Sequence, residues 1–479
     1  MISTDPWVRH LSLSLPESLE DQMVATVTKR NMNVGDLTLF TVSAIILLDT
    51  LAATASIGVS SISWWVVLGV LFMVPLGLIT AELGAAYPQE GGMYVWIRRA
   101  FGARWGGRAA WAYWINTAIW IPSLHILFAG FLVRIFGLDL EIREQVVIGI
   151  ALTWGTVLVD IVGLKVGKWI PNIGALIKFT IFSLIIGGGL LYARQYGFAN
   201  EVSVASLTPQ WNEGIKYLPA IIYGMLGFEL VSSAGDNIKN PHHSVPIGIL
   251  LSGLIVLSLY TLATVGILAA IPAVDIDIVH GLVDTLELFL GGVPGGEVLV
   301  IVVSLAVTFT FFSNGVTWAI GCNRSTAQAA SEGTFPKIFA LRHQQHDGPV
   351  GAAVMMGIIS TAVLVVYGAQ AFTNADLFWD LLAFSAVIFM MPYIGLVMAF
   401  LQLRRVDAEA PRPFLVLGGL PVAIFFTAIC TIVIALAILL FLYVPGDGVQ
   451  WPIVFGVMTA VCLGEVAMWV APGTDRVEK

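Results

Sequence analysis

Charged residues are scarce in this sequence. Asp, Glu, Lys and Arg make up 11% of the 479 residues, whereas a soluble globular protein usually carries about 25%. Hydrophobic residues reach 58%, and the mean hydropathy is +0.88. This composition excludes a soluble globular domain and predicts an all-α polytopic membrane protein. At roughly 20 residues per span, the length allows about ten to thirteen helices in one bundle.

Cysteine and histidine are also rare, which argues against disulfide and metal chemistry. Cys322, Cys430 and Cys462 all fall in apolar segments, so we expect them to be small core residues. Of seven His residues, only His125 lies in an apolar segment. No two His stand at ligand spacing on any predicted span, and no Gly-rich loop ends in Lys and Ser or Thr. We therefore expect no enzymatic activity, no cofactor, no metal site and no nucleic-acid partner.

Lysine and arginine are distributed unevenly between the loops of twelve apolar segments. Of the 23, four lie in loops on one side, Lys178 lies inside a segment, and the other 18 share the opposite side. Because Lys and Arg are enriched in cytoplasmic loops, both termini are predicted to be cytoplasmic, at the plasma membrane by default. The predicted spans one to twelve are 35–58, 64–86, 107–133, 145–163, 169–193, 217–237, 246–271, 297–327, 350–368, 376–402, 414–444 and 451–471.

These spans group into a core followed by two further helices. If the first ten spans are divided into two sets of five, spans one and six are the first of each set. Both carry polar or helix-breaking residues in mid-membrane, as expected of inverted repeats. The N-terminal segment is predicted to be a soluble tail, because charged residues interrupt every stretch that could form a signal-peptide core. The chain is predicted to begin with a tail, 1–34, followed by a core, 35–402, that consists of two repeats, 35–193 and 217–402. Two additional helices, 414–471, and a second tail, 472–479, follow the core.

Span six has the features of a broken helix. Gly224 and Gly227 fall in mid-span beside Glu229, where an unbroken lipid-facing helix should carry neither flexible backbone nor a carboxylate. Backbone amides freed at such a break, and the N-terminus of the second half-helix, can hold a small polar substrate. The structural alternative is a glycine packing seam with Glu229 bonded to a neighbouring helix.

Span one carries an acid in mid-membrane. Asp49 is followed by Thr50 and by a run of small residues from Ala52 to Gly58. A buried Asp costs roughly 2.5 to 3.5 kcal/mol even on a lenient insertion scale, so it should have a partner or a task. Binding of a substrate cation, proton coupling, and a structural pairing with Lys178 or with backbone are the roles left open.

Three motifs resemble the amino acid, polyamine and organocation transporter superfamily. They are Ala81 to Gly102, Gly227 to Pro246 and Asn323 to Ala340, and with the spans the resemblance covers roughly residues 35 to 440. The order of Tyr223, Glu229 and Trp318 is most similar to the arginine/agmatine and glutamate/GABA antiporters and the polyamine permeases. The resemblance implies a LeuT-like fold with a 5+5 inverted repeat, broken helices one and six, and helices eleven and twelve in addition, working by alternating access.

The resemblance also implies a substrate site. An aromatic at the place of Tyr223 shuts over the substrate in those relatives, and a Trp at the place of Trp318 lines the other side of the pocket. Both residues are equally plausible as packing aromatics on their own chemistry. We expect Tyr223, Gly224, Gly227, Glu229 and Trp318 to border the substrate.

The substrate itself is predicted from a departure in span one. Many members have Gly-Ser-Gly where this chain has Asp49, Thr50 and Leu51, unless the break lies at Ala52 to Gly58 instead. A carboxylate at the break repels a substrate carboxylate and attracts an ammonium. This favours an amine, a polyamine or a cationic amino acid as the substrate. Asp49 and Thr50 would then lie in the site, with Glu229 as a second acidic contact. The alternative is a neutral or acidic amino acid permease or antiporter; a channel or membrane enzyme is remote.

Lys178 in span five indicates how transport is driven. It is too far from either surface to snorkel, so it should face the bundle and contact spans one and eight. Some relatives place a Lys where sodium-coupled carriers of this fold hold sodium. We therefore expect sodium-independent transport, by exchange or proton coupling, with Lys178, Asp49 and Glu229 as coupling residues; the alternative is a Lys that only ties helices together. We also expect a homodimer.

Overall fold

The computed structural model is helical almost throughout and describes residues 32–48, 50–163, 167–209, 213–276, 281–370, 374–446 and 448–471. Most of the first predicted tail, all of the second, and Asp49 lie outside these ranges. The helices α1 to α17 are Val34–Ile45, Leu51–Ala55, Ser60–Leu68, Val74–Ala86, Met93–Phe101, Ala103–Phe136, Ile142–Val162, Trp169–Tyr196, Val204–Leu207, Leu218–Tyr223, Pro241–Ala270, Gly281–Leu290, Gly296–Ser331, Val350–Gln370, Asn374–Val406, Gly419–Leu442 and Trp451–Val470.

Short elements of other types join these helices. A π-helical turn, Gly69–Met73, links α3 and α4 into one span. The 3-10 helices are Glu213–Tyr217, Leu230–Asn237, Ala273–Asp275 and Lys337–Ala340. Strands β1 (Tyr443–Val444) and β2 (Gly448–Val449) pair antiparallel between α16 and α17.

Helices occupy all twelve predicted spans. In the described part of the chain, nine helices are long and apolar enough to cross a membrane. Spans one, six and nine are outside that count. Span nine, α14, has a shorter apolar stretch, Val350–Val366, whereas spans one and six are each interrupted in mid-membrane. The predicted fold class, about twelve membrane helices with the first and sixth broken, is confirmed.

Close helix contacts hold the two broken spans inside the bundle. In span one, α1 packs on α8 and α11. In span six, α10 packs on α16 and the 3-10 helix Leu230–Asn237 packs on α13. At the α8–α11 crossing, a Cβ on Gly189 would lie 2.4 Å from the Cα of Gly266. Only glycine permits backbones to approach this closely. The tight crossing fixes the helices that carry Lys178 and Tyr260, two residues of the site described below.

Charged side chains tie together the end of the bundle at which α1 begins. Asn33 and Asp36 form a capping box at the start of α1, and Asn172 donates to Asp36 at 2.9 Å. Buried charges need such partners, because an unpaired ion is costly to desolvate. The ion pair Asp36–Lys168, at 2.9 Å, joins this end of span one to α8. Glu82–Arg404, at 2.5 Å, joins α4 to α15. Glu90–Arg324, at 3.1 Å, joins the α4–α5 loop to α13.

Candidate functional site: two helix breaks around a buried carboxylate

Span six is broken at residues 224–229. α10 ends at Tyr223, and regular geometry resumes only with the 3-10 helix that begins at Leu230. Gly224 keeps helical dihedrals, with φ −66°, whereas Gly227 has φ +121°, a conformation that side chains strongly disfavour. Both predicted glycines therefore lie in the break, but only the second requires glycine for its backbone conformation.

Span one is broken between α1, which ends at Ile45, and α2, which begins at Leu51. Tyr260 on α11 lies against this break: its hydroxyl accepts a hydrogen bond from the Leu47 backbone N–H at 2.6 Å and donates to the Ile45 carbonyl at 3.1 Å. Thr50 is buried and donates to the Leu47 carbonyl at 3.4 Å. Since α2 covers Leu51–Ala55, the alternative break at Ala52 to Gly58 is wrong. Asp49 belongs to this segment of the sequence but is outside the described residues.

Glu229 is the last residue of the break in span six and is fully buried. Tyr113 on α6 donates to its Oε1 atom at 2.5 Å, and Tyr393 on α15 donates to the same oxygen at 2.7 Å. The other oxygen, Oε2, makes no hydrogen bond of good geometry with the described residues, although the backbone N–H groups of Gly227 and Glu229 lie close enough to the carboxylate to interact with it. A buried carboxylate oxygen without a well-placed donor is costly, so this atom can accept a proton or a bond from a substrate cation.

Five aromatic rings, which we term the aromatic cluster, pack together beside Glu229. Phe389 on α15 is the central ring. Its centroid lies 5.0 Å from those of Trp318 and Tyr393, 5.4 Å from that of Tyr223 and 5.9 Å from that of Tyr113. The cluster joins both ends of the break in span six to α6, α13 and α15. Such a set of π faces beside a carboxylate is suited to an organic cation.

Trp318 connects the cluster to both helix breaks. Its indole N–H donates to the Ala44 carbonyl on α1 at 3.0 Å. A Cβ on Gly227 would lie 3.3 Å from Cζ2 of Trp318 and 3.1 Å from Cγ1 of Ile45. The absence of a side chain at Gly227 thus lets the ring approach the unwound backbone.

Lys178 lies on α8 beneath the break in span one and is fully buried. Its Nζ atom donates to the carbonyls of Ser43 at 2.7 Å and Ile46 at 2.5 Å, and to Oδ1 of Asn314 on α13 at 3.3 Å. These are the contacts with spans one and eight that the sequence predicted. The ammonium satisfies carbonyl groups that the end of α1 leaves free of helical partners.

The structure thus brings together Tyr223, Gly227, Glu229 and Trp318, with Gly224 at the start of the same break. Thr50 and Lys178 lie at the other break. Sequence reasoning missed Tyr113, Phe389 and Tyr393. Phe389 and Tyr393 stand four residues apart and so share a helix face, but no feature of the sequence shows that this face turns towards Glu229.

Twelve spans and two mid-membrane breaks, the second of which carries a buried carboxylate, define an integral membrane transporter that works by alternating access. The chain belongs to the amino acid permease family, whose model matches residues 33–463. This confirms the resemblance given by the three motifs and sets aside a channel or a membrane enzyme.

Two relatives match along most of their length. A probable agmatine/putrescine antiporter of Lactococcus lactis is 34% identical over 446 residues, covering 91% of this chain and 94% of that protein. An uncharacterized transporter of Legionella pneumophila is 27% identical over 402 residues, covering 82% and 85%. Among solved structures, a manganese transporter of Eremococcus coleocola, crystallised with an aromatic bis-isothiourea compound, has a TM-score of 0.57 at 14% identity and 97% coverage of both chains. That likeness supports the fold alone.

Proposed function

We propose that this transporter carries decarboxylated amines, polyamines or cationic amino acids, independently of sodium, by exchange or proton coupling. The observation that carries the proposal is the Oε2 atom of Glu229, buried and without a hydrogen bond of good geometry from the described residues, beside the aromatic cluster. The Lactococcus relative, named as a probable agmatine/putrescine antiporter, supports the same class of substrate. In this proposal Asp49, Thr50, Tyr223, Gly224, Gly227, Glu229 and Trp318 border the substrate.

The electrostatics of the site favour a cation over a zwitterion. A charge-assisted hydrogen bond from an ammonium to Glu229 contributes about 1.5 to 3 kcal/mol net, and a desolvated cation over an aromatic ring gains about 2 kcal/mol. A carboxylate on the substrate would meet Glu229, and in this proposal Asp49, with repulsion strengthened by the low dielectric. A proton on Glu229 would replace the amine, which supports competition between the two as the coupling mechanism.

Replacing Asp49 by asparagine is expected to remove most of the preference for amines over their parent amino acids. The wild-type preference should be tenfold to a hundredfold, the equivalent of one charge-assisted bond of about 1.5 to 3 kcal/mol. Binding of agmatine against arginine, and of putrescine against ornithine, to wild type and Asp49→Asn tests this by calorimetry. Unchanged selectivity in Asp49→Asn would remove this residue from the proposed site and leave it a structural or proton-coupling role.

Transport is expected to proceed at the same rate when sodium is replaced by potassium or choline. In the proposal, the Lys178 ammonium supplies a fixed or titrating charge below the break in span one, where it binds carbonyls of Ser43 and Ile46. Replacing it by methionine leaves these carbonyls unpaired in a buried site, so Lys178→Met should lower the rate at least tenfold. Lys216→Met, outside the bundle core, is the control. Uptake that requires a sodium gradient would contradict this assignment.

We also propose that the protein resides in the plasma membrane with both termini cytoplasmic, and that 35–193 and 217–402 are the two repeats. The distribution of Lys and Arg supports this orientation. A homodimer is part of the proposal because only 17% of the apolar window of α17 is buried within the chain, leaving a broad surface for a second copy. Labelling of single cysteines introduced in the loops, from one side of the membrane at a time, tests the orientation.

A further inference from the structure

An apolar groove opens on the outside of the bundle between α5, α6, α15 and α17. It encloses about 690 Å³, within the range of about 300 to 1,000 Å³ typical of small-molecule sites. Its lining includes Ala109 and Ala112 of α6, Gly395 of α15, and Val461 and Gly464 of α17. The two glycines are themselves covered by neighbouring side chains, since a Cβ on Gly395 would lie 3.0 Å from Ile97 and one on Gly464 would lie 2.4 Å from Trp111. The groove is therefore the space left between the helices. The groove is open at the surface of the single chain, where Val461 is 39% exposed.

One end of the groove carries positive charge and an aromatic residue. Trp105 is 55% exposed there, and the guanidinium of Arg108 lies 4.7 Å from the centre of its ring. Arg108 also donates to Glu465 at 2.6 Å. Arg104 is exposed in the same turn of α6 and interacts electrostatically with Glu465. Among the described residues of this rim, the two arginines outnumber the single carboxylate, which gives it a net positive charge.

We propose that the groove binds one anionic phospholipid of the surrounding bilayer. The acyl chain would lie along the small residues of the groove, and the phosphate would contact Arg104 and Arg108 beside Trp105. Trp is favoured at the level of lipid head groups, and basic pockets at the ends of membrane helices bind anionic head groups. Charge complementarity at the rim selects an anionic lipid over a zwitterionic one.

Native mass spectrometry of the purified full-length protein tests the site. The probes are phosphatidylglycerol and phosphatidylcholine with identical acyl chains, each added in a graded series. Wild type should retain one phosphatidylglycerol at least fivefold more readily than phosphatidylcholine, the selectivity that one arginine near the surface provides. Arg104→Gln should abolish this difference. Arg194 is an exposed arginine near the last residue of α8, whereas Arg104 lies near the first residue of α6. Arg194→Gln should leave the difference unchanged.

The groove itself is tested by filling it. Val461→Trp should prevent retention of the lipid, whereas Leu463→Trp, at a 53% exposed position of α17 that does not line the groove, should not. Equal retention of the two lipids by wild type would overturn the proposal, as would phosphatidylglycerol retained by Val461→Trp. A lipid-free dimer that Val461→Trp dissociates and Leu463→Trp does not would also overturn it, because a second copy would then fill the groove.

Discussion

Substitution of Gly227 by leucine is expected to abolish transport while the protein remains inserted and folded. The residue has φ +121°, and placing any other residue there costs about 1 to 3 kcal/mol of backbone strain. The added side chain would also meet Ile45 and Trp318, which a single Cβ already approaches to 3.1 and 3.3 Å. Leucine therefore displaces Trp318 from the unwound backbone and fills the place proposed for the substrate.

The matched control is another glycine-to-leucine change within a membrane helix. Gly187 on α8 has no heavy atom within 4 Å of the position its Cβ would take, so Gly187→Leu should transport at the wild-type rate. Exchange by each purified variant in liposomes, together with its elution as a single species from a size-exclusion column, separates loss of function from loss of fold. Normal transport by well-folded Gly227→Leu protein would refute the placement of the substrate at this break.

Substitution of Glu229 by glutamine is expected to weaken the binding of amines tenfold to a hundredfold. The amide oxygen can still accept the hydrogen bonds of Tyr113 and Tyr393, so the packing of α6 and α15 on span six is kept. What is lost is the negative charge that the proposed ammonium meets, worth about 1.5 to 3 kcal/mol for one charge-assisted bond. Because the amide bears no titrating proton, competition between protons and amine at this side chain should also be lost.

Glu297→Gln serves as the control, because this carboxylate is exposed at the start of α13. Titration calorimetry with agmatine measures both affinities under identical conditions. Amine affinity in Glu229→Gln equal to that of the wild type would show that the carboxylate is structural, held only to tie α6 and α15 to the broken span.

The two helix breaks could be predicted because each leaves a local mark in the sequence. Gly227 stands beside an acid within an apolar run, and Asp49 interrupts another. Lys178 could be placed for a similar reason: a mid-membrane ammonium must find oxygen atoms within the bundle, and spans one and eight supply them through Ser43, Ile46 and Asn314.

The aromatic cluster could not be predicted, because it depends on which helices meet. Tyr113, Phe389 and Tyr393 stand in apolar segments rich in aromatic residues, where packing is the ordinary role of a ring. Their convergence on Glu229 follows from the packing of α6 and α15 around span six, which periodicity does not specify.

Hydropathy also placed several helix ends too early or too late. α6 runs from Ala103 to Phe136 rather than 107–133, and α13 runs from Gly296 to Ser331 rather than 297–327. Helical hydrogen bonding continues past the apolar stretch into polar residues at the membrane surface. The amphipathic helix α5 was missed for the related reason that it is too polar to count as a span.

Uptake of labelled agmatine by purified protein in sodium-free liposomes tests the central claim most directly. A carrier of amines with the site at Glu229 should give saturable uptake that unlabelled putrescine inside the liposomes accelerates, whereas arginine outside competes tenfold to a hundredfold less well than agmatine. Liposomes containing Gly227→Leu protein provide the background. Uptake that rises linearly with agmatine concentration, and that internal putrescine leaves unchanged, would contradict the account.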